Sequence, residues 1–188
     1  MPSSMIHLLT AYKYNSKASV DFWVGNIAPD SVNDRKEKDK IHFRDKSDRL
    51  NALRDMASTI NSKDDFSQGL LLHLYLDYFW DLYPVCNYIK KSKDSNWFQL
   101  YRNEISLAGA WLFHNKEWSK TVWHEMEVWP MSVYKNIYGI VKEDVADFIG
   151  RNNKWYTENE YIGPSKAFTP EFVEEFTSKV ATDFKNWL

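Results

Sequence analysis

Apolar residues recur at three- and four-residue intervals along most of this 188-residue chain. Segment 4–14 is one example, with Met5, Leu8, Leu9 and Tyr12 on a single helical face. Similar spacing continues in segments 47–60, 65–83, 94–114, 116–129 and 169–187. Only six glycines and six prolines interrupt it, and alternating β-branched runs are scarce. The pattern predicts an all-α fold, which we expect to be a multi-helix bundle forming a single domain over residues 1–188.

Several positions mark where helices begin and end. Asp65 or Ser67 is a candidate N-cap for the helix that runs towards Tyr83, and Pro84 should end or kink it. The sequence Thr169-Pro170-Glu171 is typical of a helix start. The segment Tyr156–Phe168 is predicted to be the longest loop.

Composition excludes several classes of protein. The net charge of −2 argues against a general nucleic-acid binder, which normally carries a basic excess, and we expect no sequence-specific nucleic-acid partner. A single cysteine, Cys86, excludes an intrachain disulfide framework and a cysteine-based zinc finger. The first residues lack the features of a signal peptide, and no stretch has the length of about 20 apolar residues that a transmembrane helix needs. We therefore expect a soluble, cytoplasmic protein.

Charged residues of both signs crowd segment 34–49, which is typical of a solvated surface. Within it, Ile41-His42-Phe43 forms a short apolar island. We expect the flanks to face water and the island to turn inward.

The most informative pair is His73 and Asp77, which lie four residues apart inside the apolar stretch Leu70–Trp80. On a helix they share a face, about 6 Å apart along the axis. A buried carboxylate needs a partner. The pair is equally compatible with an internal hydrogen bond and with a metal site.

Three other residues have similar surroundings. His7 and His42 also have apolar sequence neighbours, and Asp30 follows Pro29 in a segment that is neither clearly helical nor charged. A single histidine of this kind is usually a satisfied core residue. Three of them with two aspartates favour a metal site, because zinc, manganese and ferrous iron prefer imidazole and carboxylate ligands.

In this order, the motifs resemble the zinc-dependent phospholipase C family, whose superfamily includes single-strand nucleases of the same all-helical fold. The resemblance rests on Gly25–Asp30, then His42, then His73 with Asp77 and the aromatic residues after it, while His7 matches a histidine of the first helix. It covers residues 5–80, and the C-terminal half shows none.

The resemblance implies a set of roles. Asp30, His42, His73 and Asp77 would form one metal site, and His7 would join Asp77 at a second, with Asp77 bridging. Asp30 would also orient or deprotonate the attacking water, so Asp30 and Asp77 are the candidate catalytic residues. The implied activity is hydrolysis of a small phosphate ester or a phospholipid head group. The implied cofactor is zinc or another divalent ion (manganese, iron or nickel), as one or two ions.

The chain also departs from this family. The family's additional histidine after the His-x-x-x-Asp pair is absent from residues 82–85, and no His-x-x-x-Glu follows. The nearest substitutes, spaced three apart, are His114 with Glu117 and His124 with Glu127, which we treat as possible additional ligands.

Aromatic residues are abundant, at 16% of the chain. The tryptophans at positions 97, 111, 118, 123 and 129 are expected to fill the core. Four others lie beside the candidate ligands and are predicted to line a pocket: Trp23, Tyr75, Tyr78 and Trp80.

Two alternatives remain. The first is a non-catalytic helical protein whose histidines and aspartates pair internally. The second is another class of helical metal phosphohydrolase, which is disfavoured because it needs a His-Asp doublet and none occurs. The chain also has no Gly-x-Ser-x-Gly motif and no glycine-rich phosphate loop. The oligomeric state stays open.

Overall fold

The computed structural model describes residues 1–61, 63–92, 94–130, 139–159 and 163–188, and within these ranges the chain is helical and contains no β-strand. The prediction of an all-α fold is thus confirmed for the described residues. The helices are α1 (Ser4–Tyr14), α2 (Val20–Ile27), α3 (Arg35–Ile41), α4 (Arg49–Thr59), α5 (Asp65–Trp80), α6 (Cys86–Lys91), α7 (Trp97–Asn115), α8 (Ser119–Glu127), α9 (Lys142–Glu158) and α10 (Pro170–Trp187). A 3-10 turn, Ala28–Ser31, follows α2, and a π-helical turn, Asp81–Val85, joins α5 to α6.

Side-chain caps define the starts of several helices. The Thr169 hydroxyl accepts a hydrogen bond from the Phe172 N–H at 3.3 Å, which confirms the predicted start of α10. Helix α5 is capped by Asp64, whose carboxylate accepts from the Ser67 N–H at 3.3 Å, and not by Asp65 or Ser67. The capping residues satisfy N–H groups that have no partner within the first turn.

Pro84 disrupts the helix as predicted. Helix α5 ends at Trp80, and Pro84 lies inside the wider π-helical turn that follows. Proline has no N–H to donate and its ring clashes with the preceding turn, so the regular helix cannot continue through it.

Two glycines allow α2 and α5 to cross at very short distance. A Cβ atom on Gly25 would lie 2.0 Å from the Phe66 carbonyl oxygen, and one on Gly69 would lie 2.1 Å from the Phe22 carbonyl oxygen. Any larger residue would push the two backbones apart. This crossing brings the end of α2, and the 3-10 turn after it, against the middle of α5.

Four helices, α2, α3, α6 and α9, lie outside the segments that the sequence predicted to be helical. Helix α2 has only eight residues, and Gly25 and Asn26 among them have low helix propensity. Helix α9 extends to Glu158, so the predicted loop over Tyr156–Phe168 is wrong at its start. Residues 160–162 of that loop lie outside the described residues.

One buried core runs from Met5 on α1 to Phe184 on α10. The expectation that tryptophans fill it holds, because Trp123 and Trp129 are buried and the other three central tryptophans pack against the core. Among the described residues, no helix is both long and apolar enough to cross a membrane.

Candidate metal centre

Side chains from separate segments converge beside the α2–α5 crossing. They are His7 on α1, Asp30 on the 3-10 turn, His42 just after α3, and His73 and Asp77 on α5. None is more than 8% exposed. The structure therefore brings together the same residues that the sequence singled out, although they span 70 positions of the chain.

The backbone turns inward at His42, directly after α3. His42 is 1% exposed, in agreement with the prediction that this apolar island faces the interior. The next residue, Phe43, has a φ of 53°, in the left-handed region that β-carbon sterics disfavour. This strained turn places both His42 and Arg44 against Asp77.

Backbone carbonyls fix the protonation of two imidazoles. His42 Nδ1 lies 2.7 Å from the Lys38 carbonyl oxygen, and His73 Nδ1 lies 2.7 Å from the Asn26 carbonyl oxygen. Because a carbonyl oxygen only accepts hydrogen bonds, each Nδ1 must carry the proton that it donates. In the neutral rings both Nε2 atoms therefore present lone pairs, and these two atoms are 3.1 Å apart.

Lone pairs at this separation repel each other unless a cation is shared between them. That cation is either an additional proton or a metal ion. Burial lowers the pKa of His73 well below its ordinary value, the neighbouring His7 lowers it further, and the two aspartates only partly offset this. The His42–His73 contact therefore suits two neutral nitrogen ligands of a metal ion, with backbone carbonyls orienting both rings.

Both carboxylates remain ionised in this buried setting. Burial by itself raises the pKa of Asp30, but the Lys38 ammonium and a contact with His42 bring it well below its usual range. Burial also raises the pKa of Asp77, and the surrounding imidazoles, His7 first, lower it far below the usual value. The cluster thus offers anionic oxygen ligands beside imidazole nitrogens.

Polar atoms of His7 and Asp77 have no hydrogen-bond partner among the described residues. This holds for both ring nitrogens of His7 and for Asp77 Oδ1. His7 Nε2 lies 3.6 Å from Asp77 Oδ1 and 4.0 Å from Asp30 Oδ2, beyond ordinary hydrogen-bond length. The His7 ring also stacks on His73, with ring centroids 3.8 Å apart. Since buried polar atoms are seldom left unpaired, this pattern is typical of metal ligands.

The separations between donor atoms match those around one small ion. For bonds of about 2.1 Å, neighbouring ligands are about 3.0 Å apart in an octahedron and about 3.4 Å in a tetrahedron. Two groups place all their ligand atoms within 4.8 Å of one another: His42, His73 and Asp77, and His7, Asp30 and His73. Within the first group, His42 Nε2 lies 3.4 Å from Asp77 Oδ2. These buried groups could hold a divalent transition metal.

Two basic residues that the sequence analysis did not single out contact the carboxylates. Lys38 Nζ lies 3.1 Å from Asp30 Oδ1, and Arg44 Nη2 lies 3.0 Å from Asp77 Oδ2. Lys38 precedes His42 by four residues, so one turn of α3 supplies both a carbonyl to His42 and an ammonium to Asp30. The four-residue spacing of Lys38 and His42 could have indicated that both face the cluster. The mixed charge of segment 34–49 instead favoured the interpretation of a solvated surface.

The residues considered as additional ligands do not join the cluster. His114 Nε2 lies 2.8 Å from the Tyr156 carbonyl oxygen. Glu117, His124 and Glu127 are exposed. Neither group of closely spaced ligand atoms in the described ranges includes any of these four residues. A histidine and a glutamate three residues apart occur often by chance. Here three of the four residues lie on the surface, and His114 forms a hydrogen bond to the carbonyl of Tyr156 on α9.

The predicted pocket-lining residues are part of the core instead. Trp23, Tyr75 and Trp80 are buried, and Tyr78 packs against the core with part of its ring exposed. The rings that line the cleft beside Asp30 are Phe148 and Trp155, both on α9. Closeness in sequence to the candidate ligands therefore did not predict which aromatic residues line the cleft, because these come from α9, far along the chain.

No family model, curated protein or solved structure significantly matches this chain. These comparisons therefore assign no role to any residue of the cluster.

Proposed function

We propose that this cluster binds a divalent transition-metal ion and that the protein uses it to hydrolyse a phosphate ester, the reaction type of zinc-dependent phospholipases C. The observation that carries the proposal is the 3.1 Å contact between His42 Nε2 and His73 Nε2, whose rings both hold their proton on Nδ1. Zinc suits these donors best, with manganese, iron and nickel as alternatives.

Asp77 is placed to serve both groups of ligand atoms. Its Oδ2 lies 3.4 Å from His42 Nε2, and its Oδ1 lies 3.6 Å from His7 Nε2. One carboxylate therefore lies between the two groups, which accommodates one ion or two. Arg44 holds Oδ2 from the other side and keeps the carboxylate in this orientation.

Asp30 is the ligand residue best placed to handle the attacking water. It is the most exposed of the five, at 8%, and lines an open cleft. Because Lys38 keeps this carboxylate anionic, it accepts a hydrogen bond from water and orients it more readily than it removes a proton. When bound, a divalent ion lowers the pKa of water to about 7 and stabilises negative charge on phosphoryl oxygens.

The charge of the centre favours a phosphate ester over a neutral ester. Lys38 and Arg44 already balance the two aspartates. A divalent ion would therefore give the centre an excess of positive charge, which an anionic phosphate offsets. A small phosphate ester and a phospholipid head group both meet this requirement.

Elemental analysis of the protein purified without added metal tests the ion-binding step. We expect about one ion or more per chain, and its loss in His73→Ala. His124→Ala, which alters an exposed histidine outside the cluster, is the matched control and should keep its metal. A metal-free wild-type protein, or unchanged metal content in His73→Ala, would contradict the proposal.

Hydrolysis of a phosphodiester and of a phosphomonoester, the 4-nitrophenyl compounds, tests the reaction. Activity should require the ion and should fall by about 100-fold or more in Asp30→Asn, which can no longer present an anionic oxygen to water. Metal binding without hydrolysis of either compound would leave the metal centre but refute the esterase.

A non-catalytic protein is the second candidate. It is favoured by the pairing of each buried aspartate with a basic residue, which neutralises the cluster without an ion. It predicts no bound metal and a melting temperature that a chelator does not change.

A further inference from the structure

A cleft of about 480 Å³ opens beside Asp30, at the edge of the candidate metal centre. Its basic lining residues are Arg35, Lys38, Arg102 and Arg151, and Asp30 is the acidic residue among those that line it. The whole chain has a net charge of −2, so the excess of positive charge in this cleft does not follow from the overall composition.

Two of the cations have no acidic partner among the described residues. Arg35 pairs with Asp39 at 2.9 Å, and Lys38 pairs with Asp30 at 3.1 Å. Arg102, by contrast, is exposed and makes no ion pair with any residue in the described ranges, and Arg151 donates to the Asp147 carbonyl at 3.3 Å without pairing with a carboxylate there. Cations left free in a concave site are available to an anionic ligand.

Arg102 lies where three depressions meet. It lines the cleft with Arg151, a second depression with Arg44 and Asp81, and a third with Asp30 and Asn152. Lys38 lines all three as well. Lys38 also contacts Asp30 Oδ1, which lies 3.6 Å from His42 Nε2, so the basic cleft reaches the edge of the candidate metal centre.

Aromatic rings line the cleft together with the cations. Phe148 and Trp155 come from α9, the helix that also carries Arg151. A cleft that combines cations with aromatic rings suits an organic anion better than an inorganic one.

We propose that the substrate carries a second anionic group besides the phosphate at the metal centre, and that Arg102 and Arg151 bind this second group. The assignment of the first phosphate rests on the proposed function, whereas the anion affinity of the cleft does not require the ion. The ligand class is an organic phosphate with a further phosphate or carboxylate, a chemistry shared by soluble metabolites and anionic lipid head groups.

Inorganic pyrophosphate, titrated calorimetrically into protein freed of metal and chelator, is the probe. It should bind about tenfold or more tightly than inorganic phosphate, because it presents two charged groups to two arginines. The double variant Arg102→Gln/Arg151→Gln should bind pyrophosphate about tenfold more weakly than wild type. The matched control Arg54→Gln/Lys120→Gln removes the same charge from exposed residues outside the cleft and should change the affinity less than about twofold.

Several outcomes would overturn the proposal. These are a wild-type protein that binds pyrophosphate no better than phosphate, a cleft variant that binds it equally well, and a control variant that loses as much affinity. His73→Ala, which should lack the ion, should keep wild-type affinity for pyrophosphate. A missing ion thus refutes the proposed function separately. A protein that binds the ion as purified but shows no pyrophosphate affinity once freed of it refutes this inference alone.

Vesicles distinguish the two sources of the ligand. Binding to phosphatidylcholine vesicles that contain phosphatidic acid, lost in the cleft variant and absent with pure phosphatidylcholine, would support the proposal with a lipid head group as the source. Pyrophosphate affinity without such vesicle binding would support it with a soluble phosphate.

Discussion

Glu174 on α10 and Asp77 on α5 are carboxylates that face basic side chains from other parts of the chain. Each oxygen of Glu174 faces an ammonium group, one from Lys13 on α1 and one from Lys116 just after α7. Asp77 presents Oδ2 to Arg44 at 3.0 Å, while its Oδ1 faces the His7 imidazole at 3.6 Å. The Glu174 side chain is 33% exposed, and that of Asp77 is fully buried.

Glu174 and Asp77 thus differ in role: the contacts of Glu174 join helices, whereas those of Asp77 suit the binding of a ligand. Around Glu174 each carboxylate oxygen has an ammonium partner, and the Lys13 pair ties α10 to α1. In the buried cluster, His7 Nε2 and Asp77 Oδ1 have no hydrogen-bond partner among the described residues. A native fold tolerates such a cost where the local arrangement serves a site.

Asp77→Asn should give the largest effect. The change removes a fully buried anion from the contacts of Arg44, which keeps Asp81, and of the surrounding imidazoles, and we expect the free energy of unfolding of the metal-free protein to fall by about 4 kcal/mol. Asp183→Asn breaks the exposed pair with Lys179 and should cost less than about 0.5 kcal/mol. Urea denaturation measures both, and equal losses would remove the distinction between buried and exposed pairs.

Gly69→Ala should give the second-largest loss of stability. Its Cβ would lie 2.1 Å from the Phe22 carbonyl oxygen, so α2 and α5 must separate, at a cost of about 3 kcal/mol. The Asn26 carbonyl would move away from His73, and metal content should fall as well. Gly150→Ala is the control, because its Cβ meets no atom within 4 Å in α9. It should stabilise the protein by about 0.5–1 kcal/mol, and a stable, metal-binding Gly69→Ala would contradict the role of the crossing.

Removal of the ion should give the third-largest change in stability. An ion present at 100 times its dissociation constant and bound only to the folded state contributes about 2.7 kcal/mol. For a chain of this length, a chelator should therefore lower the melting temperature by about 5–10 °C. The Glu174→Gln variant should respond as wild type does, whereas His73→Ala should not respond. An unchanged wild-type melting temperature would favour the non-catalytic alternative.

Glu174→Gln should show the smallest effect, and one that depends on pH. Burial raises the Glu174 pKa, but hydrogen bonds from Lys116 and Lys13 outweigh it, so the pKa lies below its ordinary value. A carboxyl with a lowered folded-state pKa stabilises the fold above its unfolded-state pKa and loses this contribution as the pH falls through the folded-state value.

The difference in melting temperature between wild type and Glu174→Gln should thus be greatest near about pH 7 and shrink below about pH 4. Because the pair is partly exposed, the stability difference at neutral pH should be under about 1 kcal/mol. Melting curves from acid to neutral pH would reveal it, and a difference that grows towards acid pH would contradict the sign.

Local patterns predicted the fold better than the surroundings of the site. The bounds expected for α1 match the structure, because its apolar face follows helical spacing. Helix α2 was missed because it is short and includes Gly25 and Asn26, which have low helix propensity. Lys38 and Arg44 were read as solvated residues of a charged segment, and only the packing of α3 against the 3-10 turn and α5 shows that they contact Asp30 and Asp77.

The sequence by itself determined the helical class, the placement of His73 and Asp77 one turn apart, and the donor chemistry of the five residues. All of these follow from residue types or from hydrogen bonding within a single helix. The tertiary structure decided that His42 and His73, 31 residues apart, turn their Nε2 atoms towards each other. The reason is that the Asn26 carbonyl reaches His73 Nδ1 only when α2 packs on α5. The Lys38 carbonyl orients His42 within one turn of α3, but His42 meets His73 only when that turn packs against α5.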